Sequence, residues 1–378
     1  MGNGVTRLAL AILIHRPFRS LMTVLGVVVA FFLSCAQLGL MVGWCNTVSA
    51  LIRHTDADLW FMAQQTSAYD YGTAIPRTRL YQVRNLPGIE SAEPLFMAWN
   101  IWQRPDGRRV NVELVGLSEK MLGGPWAYQS GDVSCLRKPN TVIVDELYLS
   151  ALGASGIGDT VDMMGRRATI GAISKDIRTF TASPFVFTKI DDAVLYDKRY
   201  SSDEITYVMA HCRPGVDIHA IQQEARTRVP NTECLTSHEF SVRSMKYWML
   251  ETGVGITVVL TAFLGFAVGT VIVSQTLYAA TQENIHHFAT LLAIGFQPRS
   301  LVGVVLLMAS IVSVLGMIAG GLLFSAAAMA SSRTPIPLET TPTVMCGLIV
   351  FQYLACLLAS ILSIKLVLRA DPVSVFNQ

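Results

Sequence analysis

Charge is scarce in this chain. Asp, Glu, Lys and Arg together make up 15% of its 378 residues, while hydrophobic residues reach 52%. Ordinary soluble domains carry about a quarter charged residues, so a composition this apolar points to membrane insertion. The formal net charge is only +2, and no Lys/Arg-rich run offers a nucleic-acid surface. Catalytic signatures are missing as well. There is no Gly-x-x-x-x-Gly-Lys-Ser/Thr, so ATP is not bound in the P-loop manner, and any ATPase is another polypeptide. Neither His-Glu-x-x-His, Cys-x-x-Cys nor Gly-x-Ser-x-Gly occurs, which leaves no pattern for a zinc hydrolase, a thiol oxidoreductase or a serine hydrolase. His286 and His287 are adjacent, and on a helix their side chains diverge by about 100°, a poor arrangement for a shared metal. His54, Asp56 and Asp58 read as a hydrated polar linker. No catalytic residue, no metal site and no directly bound cofactor are expected.

What is present is a set of long uncharged runs. Residues 21–44 contain no charged side chain, and about 20 apolar residues at 1.5 Å each cross a hydrocarbon core of about 30 Å. The run exceeds the 7–15 residues or so of a signal-peptide core, so it reads as an uncleaved anchor despite Arg7, Arg16 and Arg19 ahead of it. Three further spans are expected at 253–280, 301–329 and 343–368, the last with Lys365 placed to snorkel. Before the first span, residues 1–20 alternate apolar and basic residues, as an interfacial helix does before Pro17 turns the chain inward. An even number of spans puts both termini on one side. The flanking cations Arg7, Arg16, Arg19, Arg299, Lys365 and Arg369 make that side cytoplasmic by the positive-inside rule. The expected fold class is therefore membrane α-helical: four transmembrane helices with a large α+β extracytoplasmic domain, 45–252, inserted between helices 1 and 2. A cytoplasmic segment at 281–300, a short external loop at 330–342 and a cytoplasmic tail at 369–378 complete the plan.

Small residues recur four apart at Gly39 and Gly43, Gly265 and Gly269, and Gly316 and Gly320. In lipid, where no hydrophobic drive joins helices, such pairs let backbones approach closely. Gln37, Gln275 and Gln352 are expected to face protein rather than lipid.

Between the second and third spans, Glu283 is followed by Ile285, Phe288, Leu291 and Leu292 at spacings of three and four, an amphipathic helix that Gly295 and Pro298 terminate. Glu283 with Phe288-Ala289-Thr290-Leu291-Leu292-Ala293-Ile294-Gly295 resembles the loop signature of FtsX-like ABC transporter permeases, the group of MacB, the lipoprotein releasers, and the DevC and heme-exporter permeases. His286 and His287 stand where the family usually carries Arg-Glu. The ending Arg369-Ala370-Asp371-Pro372-Val373-Ser374-Val375-Phe376 is similar to the family's.

The inserted domain reads as two clusters. Helix is expected at Thr78–Leu86, and strands at Glu90–Trp102 and Arg108–Leu117 around the Pro105-Asp106-Gly107 turn. Strands at Thr141–Val144 and on either side of Met164-Gly165 follow, then strand, helix, strand over Ile205–His211, Val216–Val229 and Glu233–Thr236. The two end clusters would form one α+β lobe resembling the MacB-type porter-like subdomain, with the middle stretch a second lobe. From Ser237 a single long helix is expected to run into the second span. Cys212 and Cys234 flank one predicted helix, which makes a disulfide between them possible.

The resemblance implies the permease subunit of an exporter in the bacterial inner membrane, nearest in layout to the DevC-like and heme-exporter-like systems. A cytoplasmic ABC ATPase, holding ATP and Mg, would dock on the 281–295 helix and the N-terminal helix. Ile285, Phe288, Leu291 and Leu292 would fill its groove, with Glu283, His286 and His287 beside them. A second copy or a paralogue, membrane lipids, and a periplasmic adaptor with an outer-membrane channel are the further partners implied. The substrate would be lipid-like or amphipathic, moved by mechanotransmission. The alternative is an FtsX-like regulatory permease that activates a periplasmic cell-wall hydrolase and transports nothing.

Overall fold

The computed structural model describes residues 2–15, 17–181, 183–332, 334 and 337–368, the side chains of residues 2–5 and 19 excepted. Arg16 and the 369–376 ending therefore lie outside the described residues, as does the side chain of Arg19. The chain forms two compact units, one of residues 1–43, 256–332 and 337–378, the other of residues 44–255 and 333–336.

The helices are α1 Gly2–His15, α2 Pro17–Val48, α3 Ala50–His54, α4 Thr78–Arg84, α5 Leu149–Leu152, α6 Ile190–Tyr196, α7 Ile218–Arg228 and α8 Ser237–Lys246, then α9 Val254–Glu283, α10 Ile285–Ala293, α11 Pro298–Ser331, α12 Pro342–Ala359 and α13 Ile361–Leu368. Four stretches are long and apolar enough to cross a membrane: Ser20–Val48, Val254–Glu283, Pro298–Ser331 and Pro342–Leu368. The shortest has 27 residues, or about 40 Å of helix, more than the hydrocarbon core requires.

The strands of the other unit are β1 Leu59–Ala63, β2 Ile75–Pro76, β3 Ile89–Gln103, β4 Arg109–Leu117, β5 Tyr128–Ser130, β6 Thr141–Asp145, β7 Thr160–Met163, β8 Arg166–Ser174, β9 Phe185–Lys189, β10 Glu204–Ile205, β11 Tyr207–Cys212 and β12 Thr232–Thr236. Ten of them make one mixed sheet in the order β12-β1-β11-β3-β4-β9-β6-β8-β5, with β7 on β3 and β8, while β2 and β10 pair separately. The two expected lobes share a strand. The fifteen residues of β3 pair with β11 from Ile89 to Leu95 and with β4 from Phe96 to Gln103, so one strand belongs to both halves.

Side chains alternate across a strand, and here both faces are covered. Leu59 and Phe61 enter one core with Leu80 and Val83 of α4, Ile190 and Ala193 of α6, and Ile221 and Ala225 of α7. Trp60 and Met62 enter the opposite core with Leu51 and Ile52 of α3 and Phe240 of α8. Burying a side chain of this size contributes about 1.5–3 kcal/mol, so the two-sided sheet is the main store of the domain's stability.

The expected continuous helix into the second span is interrupted. After α8 comes a π-turn at Tyr247–Glu251, then Gly253 with φ of 77°, a left-handed conformation that favours glycine, and only then α9. Upstream, α8 is held firmly. Thr236 and Glu239 form a capping box, and Arg243 grips Glu233 through two bonds of 2.6 Å.

Candidate functional site

The amphipathic stretch folds as α10, separated from α9 by Asn284 and closed by Gly295 at φ of 101°. Its apolar face is already occupied. Phe288 and Ala289 are buried in the helical core beside Val273, Leu277, Leu301 and Val305, with Leu8, Leu13, Leu291 and Leu292 packed around them. Phe288, expected in a partner's groove, is instead the anchor of α10 in its own bundle. Ile285, Leu291 and Leu292 are half-buried on the same side. What α10 leaves exposed is His286, His287 and Thr290, with Glu283 exposed at the end of α9 before it and Ile294 and Phe296 after it at 74% and 44% exposure. Arg7 is also exposed, on α1.

The glycine pairs lie where helices meet. A Cβ added at Gly316 would fall 2.5 Å from Val27 Cβ, and one at Gly320 would fall 2.9 Å from the Val28 carbonyl oxygen. Gly269 faces Ala30, Gly265 faces Leu33, Gly39 faces Phe324, and Gly43 faces the Pro337 carbonyl. Every one of these contacts involves α2, which therefore packs against both α9 and α11. Gly26, not singled out by spacing, belongs to the same set, since its added Cβ would lie 2.7 Å from Ile272. Gln352 is buried, whereas Gln275 is exposed, contrary to expectation.

A third constellation sits in the interior of the inserted domain. Asp70 and Glu113 are both buried, and each keeps one carboxylate oxygen without a hydrogen-bond partner. Glu113 Oε1 accepts from Thr181 Oγ1 at 2.6 Å, and Asp70 Oδ1 accepts from Trp248 Nε1, in the π-turn, at 3.2 Å. Burial, and after it the charge of Asp70, pushes the Glu113 carboxyl up to about 8. Burial raises Asp70 to about 6, against the opposing pull of the Trp248 hydrogen bond. Spacing gave no hint of this pair, although Glu113 is the one charged residue between the apolar Val112 and Leu114 and Val115.

Two family models account for nearly the whole chain. The MacB-like periplasmic core domain matches residues 20–228, more than half of the sequence, and the FtsX-like permease C-terminal domain matches residues 259–372. The chain is an ABC transporter permease of the MacB/FtsX type. Uncharacterized ABC transporter permeases of Mycobacterium tuberculosis and Mycobacterium bovis are each 24% identical to it over 305 residues, covering 81% of this chain and 80% of theirs. Among solved structures, the periplasmic region of MacB from Actinobacillus actinomycetemcomitans aligns at 12% identity with a TM-score of 0.38, covering 50% of this chain and 94% of that one. The extracellular domain of YknZ, a noncanonic ABC-type transporter from Gram-positive bacteria, aligns at 9% identity and a TM-score of 0.36, covering 47% and 98%.

As an ABC permease, this multi-pass membrane protein works with an ATPase partner. The buried acids, the π-turn and the glycine contacts are therefore features of a permease. Cys212 and Cys234 are not joined; both thiols are free. Their strands, β11 and β12, pair with opposite edges of β1. Two strand spacings of about 4.8 Å separate them, beyond the roughly 7 Å that a disulfide spans between Cα atoms. The polar residues after α3 are likewise ordered rather than a free linker: His54 stacks on Trp126 with ring centroids 4.1 Å apart, and Asp58 accepts from the Cys212 amide at 2.7 Å. Among the described residues no group of His, Cys, Asp and Glu is placed to hold a metal.

Proposed function

We propose that this permease is the non-catalytic transmembrane subunit of an exporter in the bacterial inner membrane, with both termini and α10 cytoplasmic and the inserted domain outside. A separate ABC ATPase, carrying ATP and Mg, docks on the solvent face of α10. The observation that carries this reading is the split character of α10. One face, through Phe288, Leu291 and Leu292, is fixed in the bundle, while His286, His287 and Thr290, with Ile294 and Phe296 just beyond, stay open. A helix anchored on one side and open on the other transmits force from a partner to the spans on either side of it. Two copies, or a copy and a paralogue, each engage one ATPase. Movement reaches the outer domain through α2 and α9, and a lipid-like or amphipathic substrate is expelled without a continuous pore, with an adaptor and outer-membrane channel as outer partners.

Co-purification tests the docking face. Replacing both Ile294 and Phe296 by Glu leaves the packed side of α10 untouched, so the chain should accumulate in the membrane at normal levels and lose its ATPase. Retention of the ATPase at unchanged stoichiometry would put the docking surface elsewhere.

A further inference from the structure

Among the described residues, the other buried acids of the inserted domain have their carboxylates satisfied by a cation or by amide and hydroxyl donors, Asp192 by the Asn140 amide. Asp197 is paired with Arg199, Glu93 with Arg84 and Lys120, and Asp145 accepts from Ser174 and from the amides of Leu147 and Ile177. Asp70 and Glu113 differ. Among the described residues neither makes an ion pair, and the titratable groups around them are other acids or phenols: Tyr69 and Tyr71 on the 69–71 turn, Tyr207 on β11 and Tyr148 beside α5. None of these supplies positive charge. Two buried carboxylates, sharing no cation among the described residues and each with an oxygen that no protein group bonds, favour holding at least one proton between them.

The position of the pair gives that proton a structural consequence. The 69–71 turn is tied to the sheet by Trp99 Nε1, which donates to the Asp70 carbonyl at 3.0 Å, and by the Tyr207 hydroxyl, which donates to the Tyr69 carbonyl. It is tied to the α8 segment by Ser244 Oγ, which accepts from the Tyr69 amide at 3.2 Å, and by Trp248. Trp248 also packs on Phe180, at 4.3 Å between centroids, and on Tyr71, at 5.8 Å. Phe180 neighbours Thr181, the donor to Glu113. Trp248 thus carries the hydrogen bond between the acid pair and the π-turn that leads to Gly253 and the second span, with Tyr247 packed on Tyr71 beside it at 5.7 Å. Single π-turns are rare in helices and recur at functional positions.

We propose that Asp70 and Glu113 form a proton-dependent latch: while they hold a proton between them, Trp248 is clamped and the π-turn is fixed, and loss of that proton to solvent releases the segment 247–253. The reaction is a simple ionisation. Glu113 gives its proton to water or hydroxide, the two carboxylates repel, and hydration of the pair displaces the 69–71 turn from Trp248. Nothing in this depends on which ATPase binds or what is exported, so it stands apart from the docking proposal above.

Amide hydrogen exchange on the full-length protein in lipid nanodiscs, read by mass spectrometry and corrected for the intrinsic pH dependence of exchange, tests the latch. Protection of residues 244–252 should drop about tenfold or more as pH rises from 6 to 9, while peptides from β6 and β9 stay protected, which separates release from global unfolding. In Glu113→Gln, which keeps an acceptor for Thr181 but cannot ionise, the segment should stay protected to pH 9. In Asp70→Asn the transition should move to lower pH, because the neighbouring charge that holds the Glu113 proton is gone. Infrared difference spectra of the unaltered protein supply a readout that needs no variant: a protonated carboxylic-acid band should disappear over the same pH range and be missing in Glu113→Gln. Exchange in 244–252 that does not change between pH 6 and 9, or an equal loss of protection in Glu113→Gln, would overturn the proposal.

Discussion

The two units of this permease bury their side chains by opposite rules. In the inserted domain the largest residues go inside: Trp60, Trp102, Phe185, Phe187 and Tyr207 are almost completely buried between the sheet and its helices. In the helical unit the contacts are made by Gly26, Gly269, Gly316 and Gly320, and large residues such as Leu260, Phe263, Leu322 and Leu358 point outward. Water drives the first arrangement, since apolar area removed from it is worth about 25 cal/mol per Å². Lipid removes that drive, and close backbone approach takes its place. The same kind of substitution should therefore have different consequences in the two units.

The largest effect is expected in the sheet. Trp102 is fully buried and its Nε1 donates to the Leu152 carbonyl at 3.0 Å, so Trp102→Ala should destabilise the domain by about 3–5 kcal/mol, measured by thermal unfolding. Next comes the pH response of the same unit. The Glu113 carboxyl is ordinarily near 4.5 and is raised to about 8 in the fold. The folded state therefore holds a proton that the unfolded chain has released. Stability is fully present below about 4.5 and is lost as pH climbs to about 8, by about 3 kcal/mol once hydration of the pair is allowed for. Glu113→Gln should flatten that slope in calorimetric scans. A smaller loss, about 2 kcal/mol, is expected from Gly316→Val, where the added atoms meet Val27. The half-life of the protein against heating in detergent micelles would report it. Smallest of all, Leu260→Ala on the exposed side of α9 should change the stability of one copy by under about 0.5 kcal/mol, provided no partner covers that face. A large effect there would reveal a protein neighbour.

How much could be read in advance follows the same division. The spans were legible because uncharged runs of this length have few alternatives, and the hairpin at Pro105-Asp106-Gly107 was legible because its turn chemistry is local. The strand at Leu59–Ala63 was not. Buried on both faces, it shows no polar alternation, and it follows the polar residues His54 to Asp58. The interruption before α9 was masked by helical periodicity that runs on through Tyr247 to Glu251, although Gly253 itself was visible. For α10, spacing told correctly which residues share a face but not what covers that face. Periodicity says that Phe288 is to be buried; only the packing of Val273, Leu277 and Leu301 says by what. The acid pair was beyond reach, because Asp70 and Glu113 are brought together by a turn and a strand 43 positions apart.

Because β3 runs unbroken from Ile89 to Gln103 and carries β11 along its first half and β4 along its second, its own backbone at Leu95 and Phe96 is the bridge by which the two ends of the sheet are joined. Load delivered near β12 crosses that one strand on its way to β5. Spin labels placed at those two edges would show how it crosses: a constant separation on addition of ATP makes the strand a rod, and a changing one makes it a hinge.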